Sequence, residues 1–160
     1  MFYYWNNDMK VGEICSKNFI YVLHQDSVLD VARIMREQHA SSVVVVDNNN
    51  GEIRPQGLIT DRDLVLEVLA TKIDPAVLKA EDILTCELIC VTETHDVKEA
   101  LKYLRYYGVK RAPVVDINGL LVGIFCIEDS LATLSEEFSE LVKLLSSELI
   151  NDNTQSKIML

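Results

Sequence analysis

One hydrophobic pattern runs through this chain twice, in register. From Glu13 to Asp47 and again from Asp82 to Asp116 the same order of apolar, polar and capping residues recurs. Glu13 pairs with Asp82, Val22 with Val91, Val28 with Val97 and Asp47 with Asp116, a constant offset of 69 positions. Beyond the two aspartates the offset falls to 66. Gly57-Leu58-Ile59-Thr60-Asp61-Arg62-Asp63 then matches Gly123-Ile124-Phe125-Cys126-Ile127-Glu128-Asp129. A longer turn in the first copy, Asn48 to Gln56, is expected to absorb the difference, against a tight Asn118-Gly119 turn in the second. A unit of about 60 residues buries too little of its surface to be robust alone. Two copies must complete one another's core, and their packing creates two related clefts.

Each copy predicts the same elements. A short apolar strand, Ile20–Leu23 or Leu88–Val91, comes first. A helix follows with apolar residues at i, i+3, i+4 and i+7: Val28, Val31, Ala32, Met35, then Val97, Ala100, Leu101, Leu104. Asp26 and Ser27, or Thr94 and Asp96, are available as its cap. Two strands joined by a turn come next: Val43–Val46 with Gly57–Thr60, and Val114–Asp116 with Leu120–Cys126. A second helix closes each unit, at about Asp61–Ala70 and Ile127–Leu134. The fold class is α/β, two β-α-β-β-α repeats with pseudo-two-fold symmetry plus a C-terminal amphipathic helix. The expected boundaries are an arm at 1–10, repeats at 11–72 and 73–134, a helix at 135–150 and a frayed end at 151–160. The arm is aromatic (Phe2, Tyr3, Tyr4, Trp5), and the C-terminal helix carries Phe138, Leu141, Val142, Leu145 and Leu149 on one stripe.

Charge and composition narrow the function. Of the 160 residues, 49% are hydrophobic and 25% charged, an ordinary folded mixture. Fifteen Lys and Arg against twenty-five Asp and Glu leave a net charge of -10. So acidic a surface disfavours nucleic acid and anionic membranes as partners, yet leaves room for one small anion held by local cations. The longest apolar run, Leu120 to Ile127, is too short to span a bilayer. The start of the chain lacks a secretory pattern. With four cysteines, Cys15, Cys86, Cys90 and Cys126, the expectation is a cytoplasmic protein with reduced thiols.

Few residues suggest catalysis. Nucleophile elbows, phosphate loops and zinc-protease signatures are missing from the sequence. His24, His39 and His95 fall at capping or helix-end positions, and Cys86 with Cys90 lack the ligand set of a zinc site. No catalytic or metal residue is therefore expected. One segment has chemical promise: Thr60-Asp61-Arg62-Asp63, after a strand and before a helix. Thr-x-x-Asp is a capping box. The same geometry offers a helix start to a phosphate and a carboxylate to the two hydroxyls of a ribose. Gly57 allows close approach of backbone or ligand. Its recurrence in a tandem repeat strengthens the functional reading.

The arrangement resembles a tandem pair of cystathionine-β-synthase (CBS) domains, a Bateman module. The resemblance covers about residues 10–134. It rests on the element order, on Gly57 through Asp63, on Lys110-Arg111-Ala112-Pro113-Val114-Val115-Asp116 and on Gly123 through Asp129. It implies ligand clefts between the repeats for adenosine derivatives: AMP, ADP, ATP, S-adenosylmethionine or dinucleotides. The motif Asp takes the ribose, the Thr side meets phosphate, the other repeat's first strand lines the base and its basic pair neutralises phosphate. Carried over, the first cleft holds Thr60, Arg62 and Asp63 with Leu88, Ile89, Lys110 and Arg111. The second, weaker cleft holds Cys126 and Asp129 with Phe19, Ile20, Ser41 and Ser42. Cys126 is a poorer hydrogen-bonding group than Thr, and Ser41-Ser42 replaces the cations. Lys110 and Arg111 can also be read as surface charges after the preceding helix.

The resemblance thus implies a non-catalytic regulatory module. Its regulatory ligand is an adenine nucleotide, with or without Mg²⁺, and it requires no cofactor. Partners are a small-molecule adenosine derivative, a second copy in a homodimer and a regulated protein, with no nucleic acid and no membrane insertion. The competing reading is a structural or interaction protein with vestigial clefts.

Overall fold

The computed structural model describes residues 9–84 and 87–155, with side chains described except at 137 and 145–155. The aromatic residues Phe2–Trp5, Cys86 and the end from 156 lie outside the described residues, as do the side chains of Leu145 and Leu149. The chain forms two compact units, Met1–Cys126 and Ile127–Leu160.

In the first unit the elements run α1 (Val11–Ile14), β1 (Tyr21–Leu23), α2 (Val28–Glu37), β2 (Ser42–Asn49), β3 (Glu52–Thr60) and α3 (Asp61–Asp63). A π-helical turn (Leu64–Leu69) and a 3-10 turn (Ala80–Ile83) lead into β4 (Val91–Thr92), α4 (Val97–Tyr107), β5 (Arg111–Val115) and β6 (Leu121–Cys126). They make two three-stranded sheets, β1-β2-β3 and β4-β5-β6, each with one parallel and one antiparallel pairing. The duplication extends to irregularities: both hairpins carry a bulge, between Val45 and Val46 and between Val114 and Val115. The helices start where the sequence caps them. Ser27 Oγ accepts the Asp30 N–H, and Asp96 accepts from Lys98 and Glu99. Gly108 ends α4 in the left-handed conformation, φ 68.

The four valines of β2 show how the layers are built. Val43 and Val45 pack with Val28, Val31 and Met35 of α2. Val44 and Val46 face the other way, in a cluster with Leu121, edged by Phe19, Leu23, Ile53, Leu58 and Ile124. A strand covered on both faces reads as a continuous apolar run. That second cluster joins the two sheets. Guanidinium groups tie the repeats at two further points: Arg54 donates to the Asn118 carbonyl at 2.6 Å, and Arg111 donates to Ser41 and Ser42.

The repeats also exchange their leading segments. Val11 and Cys15 enter the second core with Val91, Ala100, Leu104 and Phe125, whereas Ala80 and Ile83 enter the first. The glycines of the matched motif receive these segments. A methyl at Gly123 would meet Cys15 Sγ at 2.8 Å and the Ser16 carbonyl at 2.9 Å. At Gly57 it would fall on the Leu84 side chain alone. The close approach that Gly57 permits is thus made by protein. Gly57→Ala is expected to cost about 1–3 kcal/mol, as overpacking does. Leu84→Ala in the same chain should recover part of it. Cys15→Ala should recover less for Gly123→Ala, because the Ser16 carbonyl remains. Urea unfolding of the four variants measures this. Equal recovery at both sites would contradict the packing described.

Pro113 sits in a middle strand and has no N–H to offer the chain before β4, where the equivalent Val44 donates to the Ile20 carbonyl at 3.0 Å; on the β6 side it loses no bond. Its partner Ile124 exchanges both backbone hydrogen bonds with Ser16 instead, at 2.9 and 3.0 Å.

Several boundaries differ from the sequence expectations. The stretch Asn48–Gln56 is not one long turn: β2 and β3 continue through it to a two-residue turn. Asn50 and Gly51 both adopt positive φ, 55 and 93, which suits a tight hairpin. The first strands begin later than expected, at Tyr21 and Val91, so Ile20, Leu88 and Ile89 are irregular. The helix expected over Asp61–Ala70 is one α-turn followed by π geometry, closed by Ala70 N–H to the Val65 carbonyl at 2.9 Å. Thr71 Oγ1 donates to the Glu67 and Val68 carbonyls there, competing with backbone donors.

The second unit is a single helix, α5 (Ile127–Gln155). The two helices expected at 127–134 and 135–150 are therefore one, and the expected frayed end is helical through Gln155. The segment contains no Gly or Pro to break it. Leu131, Leu134, Phe138, Leu141 and Val142 are exposed along it, 45 to 68%.

Candidate functional site

The junction of β3 with α3 is a closed capping box. Thr60 Oγ1 accepts the Asp63 N–H at 3.3 Å and donates to Asp63 Oδ2 at 2.7 Å. The Thr60 N–H donates to the same Oδ2, also at 2.7 Å. Extended backbone at Thr60, φ -110 and ψ 165, turns the chain from strand into helix. Both expected site residues are half-buried and locked to each other. Among the described residues, Asp63 Oδ1 accepts no hydrogen bond, so one carboxylate oxygen of the pair is uncommitted. Arg62 is exposed, and its N–H donates to Asp61 Oδ1 at 2.8 Å.

The cation comes from the other repeat. Arg111 opens β5 opposite Cys126. Its Nη1 donates to Ser41 Oγ at 3.0 Å and Ser42 Oγ at 2.9 Å. Ser42 stands opposite Thr60 in the β2–β3 register. Directly paired residues of an antiparallel ladder hold their side chains about 5 Å apart. The Asp61 N–H donates to the Ser41 carbonyl at 3.1 Å, tying the start of α3 to the same serine. A hydroxyl, a carboxylate, a helix start and a guanidinium thus converge where the two repeats meet. Lys110 is exposed beside Arg111, and Leu88 and Ile89 are half-buried just before β4.

The residues assigned to a second cleft divide differently. Ser41 and Ser42, the expected replacements for its cations, are the acceptors of Arg111. Phe19 packs into the cluster between the sheets and Ile20 into the first core. Cys126 is half-buried at the end of β6. Asp129 lies in the first turn of α5, within the second unit.

Other candidates have local structural partners. His95 Nδ1 accepts the Thr92 N–H at 3.2 Å, within its own turn. Burial pushes the Cys90 thiol up to about 11, so it stays protonated at neutral pH. Asp116 is held below the usual carboxylate range chiefly by the Leu120 N–H, with Asn118 and Arg54 assisting. Among the described residues no group of three His, Cys, Asp or Glu is placed to hold a metal, and no helix is long and apolar enough to cross a membrane. A cavity of about 490 Å³ that sequence reasoning missed lies among Val28, Ala32, Leu64, Val68 and Ile73. It shares no residue with the Thr60–Asp63 box, and its lining is largely apolar.

Comparison with known proteins gives the same picture. The model of the CBS domain matches residues 11–70 and again 80–129. An uncharacterized protein of Methanopyrus kandleri is 34% identical over 139 residues, 82% of this chain and 69% of its own length. A CBS domain protein of unknown function from Thermoplasma acidophilum superposes with a TM-score of 0.67 at 30% identity, covering 76% of this chain and 66% of that one. A CBS domain protein from Pyrobaculum aerophilum, solved in complex with AMP, superposes with a TM-score of 0.67 at 24% identity, covering 76% and 89%. Two matched segments, two sheets of the same topology and one conserved layout place this chain in the CBS domain family, as a tandem pair of CBS domains.

Proposed function

We propose that the chain is a non-catalytic regulatory module that binds adenosine phosphates, of the AMP, ADP and ATP class, between its two repeats. The observation that supports this reading most is the convergence of the Thr60–Asp63 box with Arg111. Asp63 would accept the ribose hydroxyls, a role its uncommitted Oδ1 permits. Thr60 and Arg111 would meet the phosphate, with Lys110 and Arg62 adding positive charge. Leu88 and Ile89 would line the base. The AMP complex of the Pyrobaculum aerophilum protein supports the ligand class. The second site, around Cys126, Phe19, Ile20, Ser41 and Ser42, would bind weakly, favour an uncharged adenosine moiety or stay empty.

A ligand that bridges two repeats favours one arrangement of them, and a partner protein reads that population shift. The exposed apolar positions of α5 suit self-association, and a homodimer is the expected state. A thermal-shift series with AMP, ADP, ATP, adenosine, S-adenosylmethionine and NAD tests the reading. At 100-fold over Kd a specific ligand stabilises by about 2.7 kcal/mol. AMP, ADP or ATP should raise Tm accordingly. A flat series would favour an interaction protein with vestigial clefts, and a rise confined to S-adenosylmethionine or NAD would move the ligand class.

A further inference from the structure

The cavity of the first repeat, about 490 Å³, falls within the range of small-molecule sites, roughly 300–1,000 Å³. Its floor is apolar: Val28 and Val68 are buried, and Ala32 and Leu64 half-buried. The 69-residue offset that pairs Val22 with Val91 pairs Ala32 with Leu101, which packs against the second core. The first repeat thus has the smaller side chain where its counterpart has a large one. The wall beside it is π-helical: the Ala70 N–H donates to the Val65 carbonyl and the Ile73 N–H to the Val68 carbonyl, each across five residues. Such turns recur at functional sites. The rim carries one charge of each sign, since Lys72 and Asp74 both line the cavity and both are exposed. Lys72 stands at φ 59, a left-handed position that glycine fills more easily. Among the described residues its ammonium has no hydrogen-bond or ion-pair partner. Asp74 Oδ1 accepts the Ala76 N–H at 2.9 Å, and its Oδ2 accepts nothing among the described residues.

We propose that this cavity binds a large apolar α-amino acid, of the size of leucine, methionine or phenylalanine. The ligand's side chain lies on the apolar floor, where displacing loosely held water gains affinity. Its α-carboxylate meets Lys72 and its α-ammonium meets Asp74, through charge-assisted bonds roughly twice as strong as neutral ones. Two rim charges of opposite sign match a zwitterion. An apolar anion would face Asp74 unpaired, and an apolar cation would face Lys72. Small amino acids leave the floor uncovered, and polar ones bury groups that find no hydrogen bond there. The cavity shares no residue with the Thr60–Asp63 box, so the proposal stands apart from the adenosine-phosphate reading and gives the module a second kind of ligand.

Calorimetric titration of L-leucine, L-methionine, L-phenylalanine, N-acetyl-L-leucine and L-leucinamide into the full chain tests this. At least one of the three free amino acids should bind saturably. The acetyl and amide compounds keep the apolar body and lose one charge each, so each should bind about 10-fold more weakly than leucine, the worth of one bond to a charged group. Asp74→Asn keeps the acceptor for the Ala76 N–H and removes the charge. It should weaken leucine by about 10-fold and leave N-acetyl-L-leucine unchanged. Lys72→Gln should weaken leucine likewise and leave L-leucinamide unchanged. Both positions are exposed, where substitutions leave the fold intact. Ala32→Leu, which copies the second repeat, should abolish leucine binding while AMP titrates as before; if that variant fails to fold by circular dichroism, the two charge variants decide. Equal affinity for leucine and its two single-charge derivatives would overturn the proposal. So would leucine binding that survives Ala32→Leu, or no heat from any amino acid at millimolar concentration.

Discussion

Asp63→Ala is expected to weaken AMP binding at the tight site by about 10- to 100-fold. The carboxylate would lose charge-assisted hydrogen bonds to two ribose hydroxyls, and bonds to charged groups carry about 1.5–3 kcal/mol. The same variant also opens the capping box, since Asp63 Oδ2 accepts from both the Thr60 N–H and the Thr60 hydroxyl. Loss of a cap costs about 0.5–2 kcal/mol of stability. The two effects separate by ligand. Binding of a compound lacking ribose hydroxyls, such as 2′,3′-dideoxyadenosine monophosphate, should be weak in both proteins and change little on mutation. Titration of both ligands into both proteins measures the difference. Equal loss for both ligands would mean that Asp63 acts only through the fold.

Val44→Asp should unfold the protein or cost about 4 kcal/mol or more, because it places an unpaired charge in a fully buried position between the sheets. Val44 faces away from its own helix, towards Leu121 of the other repeat. The change therefore strikes the joint between repeats. Ile117→Asp is the control: Ile117 is 96% exposed, and exposed substitutions stay within about 0.5 kcal/mol. Urea denaturation followed by circular dichroism compares them. If Val44→Asp were as mild as Ile117→Asp, the sheets would not share the core described.

Much of the architecture is legible in the residues. Val28, Val31 and Met35 are buried along α2, and Ala100 and Leu104 along α4, as the i, i+3, i+4, i+7 spacing dictates. Ser27 and Asp96 cap these helices where short polar side chains precede apolar periodicity. The Thr60–Asp63 box is local chemistry, three residues apart, and closes as such spacing requires. What was illegible is non-local. Nothing in Val11 or Ala80 states which repeat's core receives it, because an apolar residue on a short helical turn suits either. Asn50-Gly51 makes a tight turn, where the spacing of the two apolar strands predicts a longer one over Asn48–Gln56. The meeting of Arg111 with Ser41 and Ser42 depends on how two sheets pack across a symmetry axis, which residue spacing does not encode. It turns two apparent defects of the second cleft into acceptors for the first cleft's cation.

Native mass spectrometry of the freshly purified chain, before and after addition of millimolar AMP, tests the central claim most directly. The account predicts a protein that carries, or takes up saturably, one tightly held adenosine phosphate per chain. A spectrum showing only the unliganded mass, with AMP, ADP and ATP each added in excess, would contradict it.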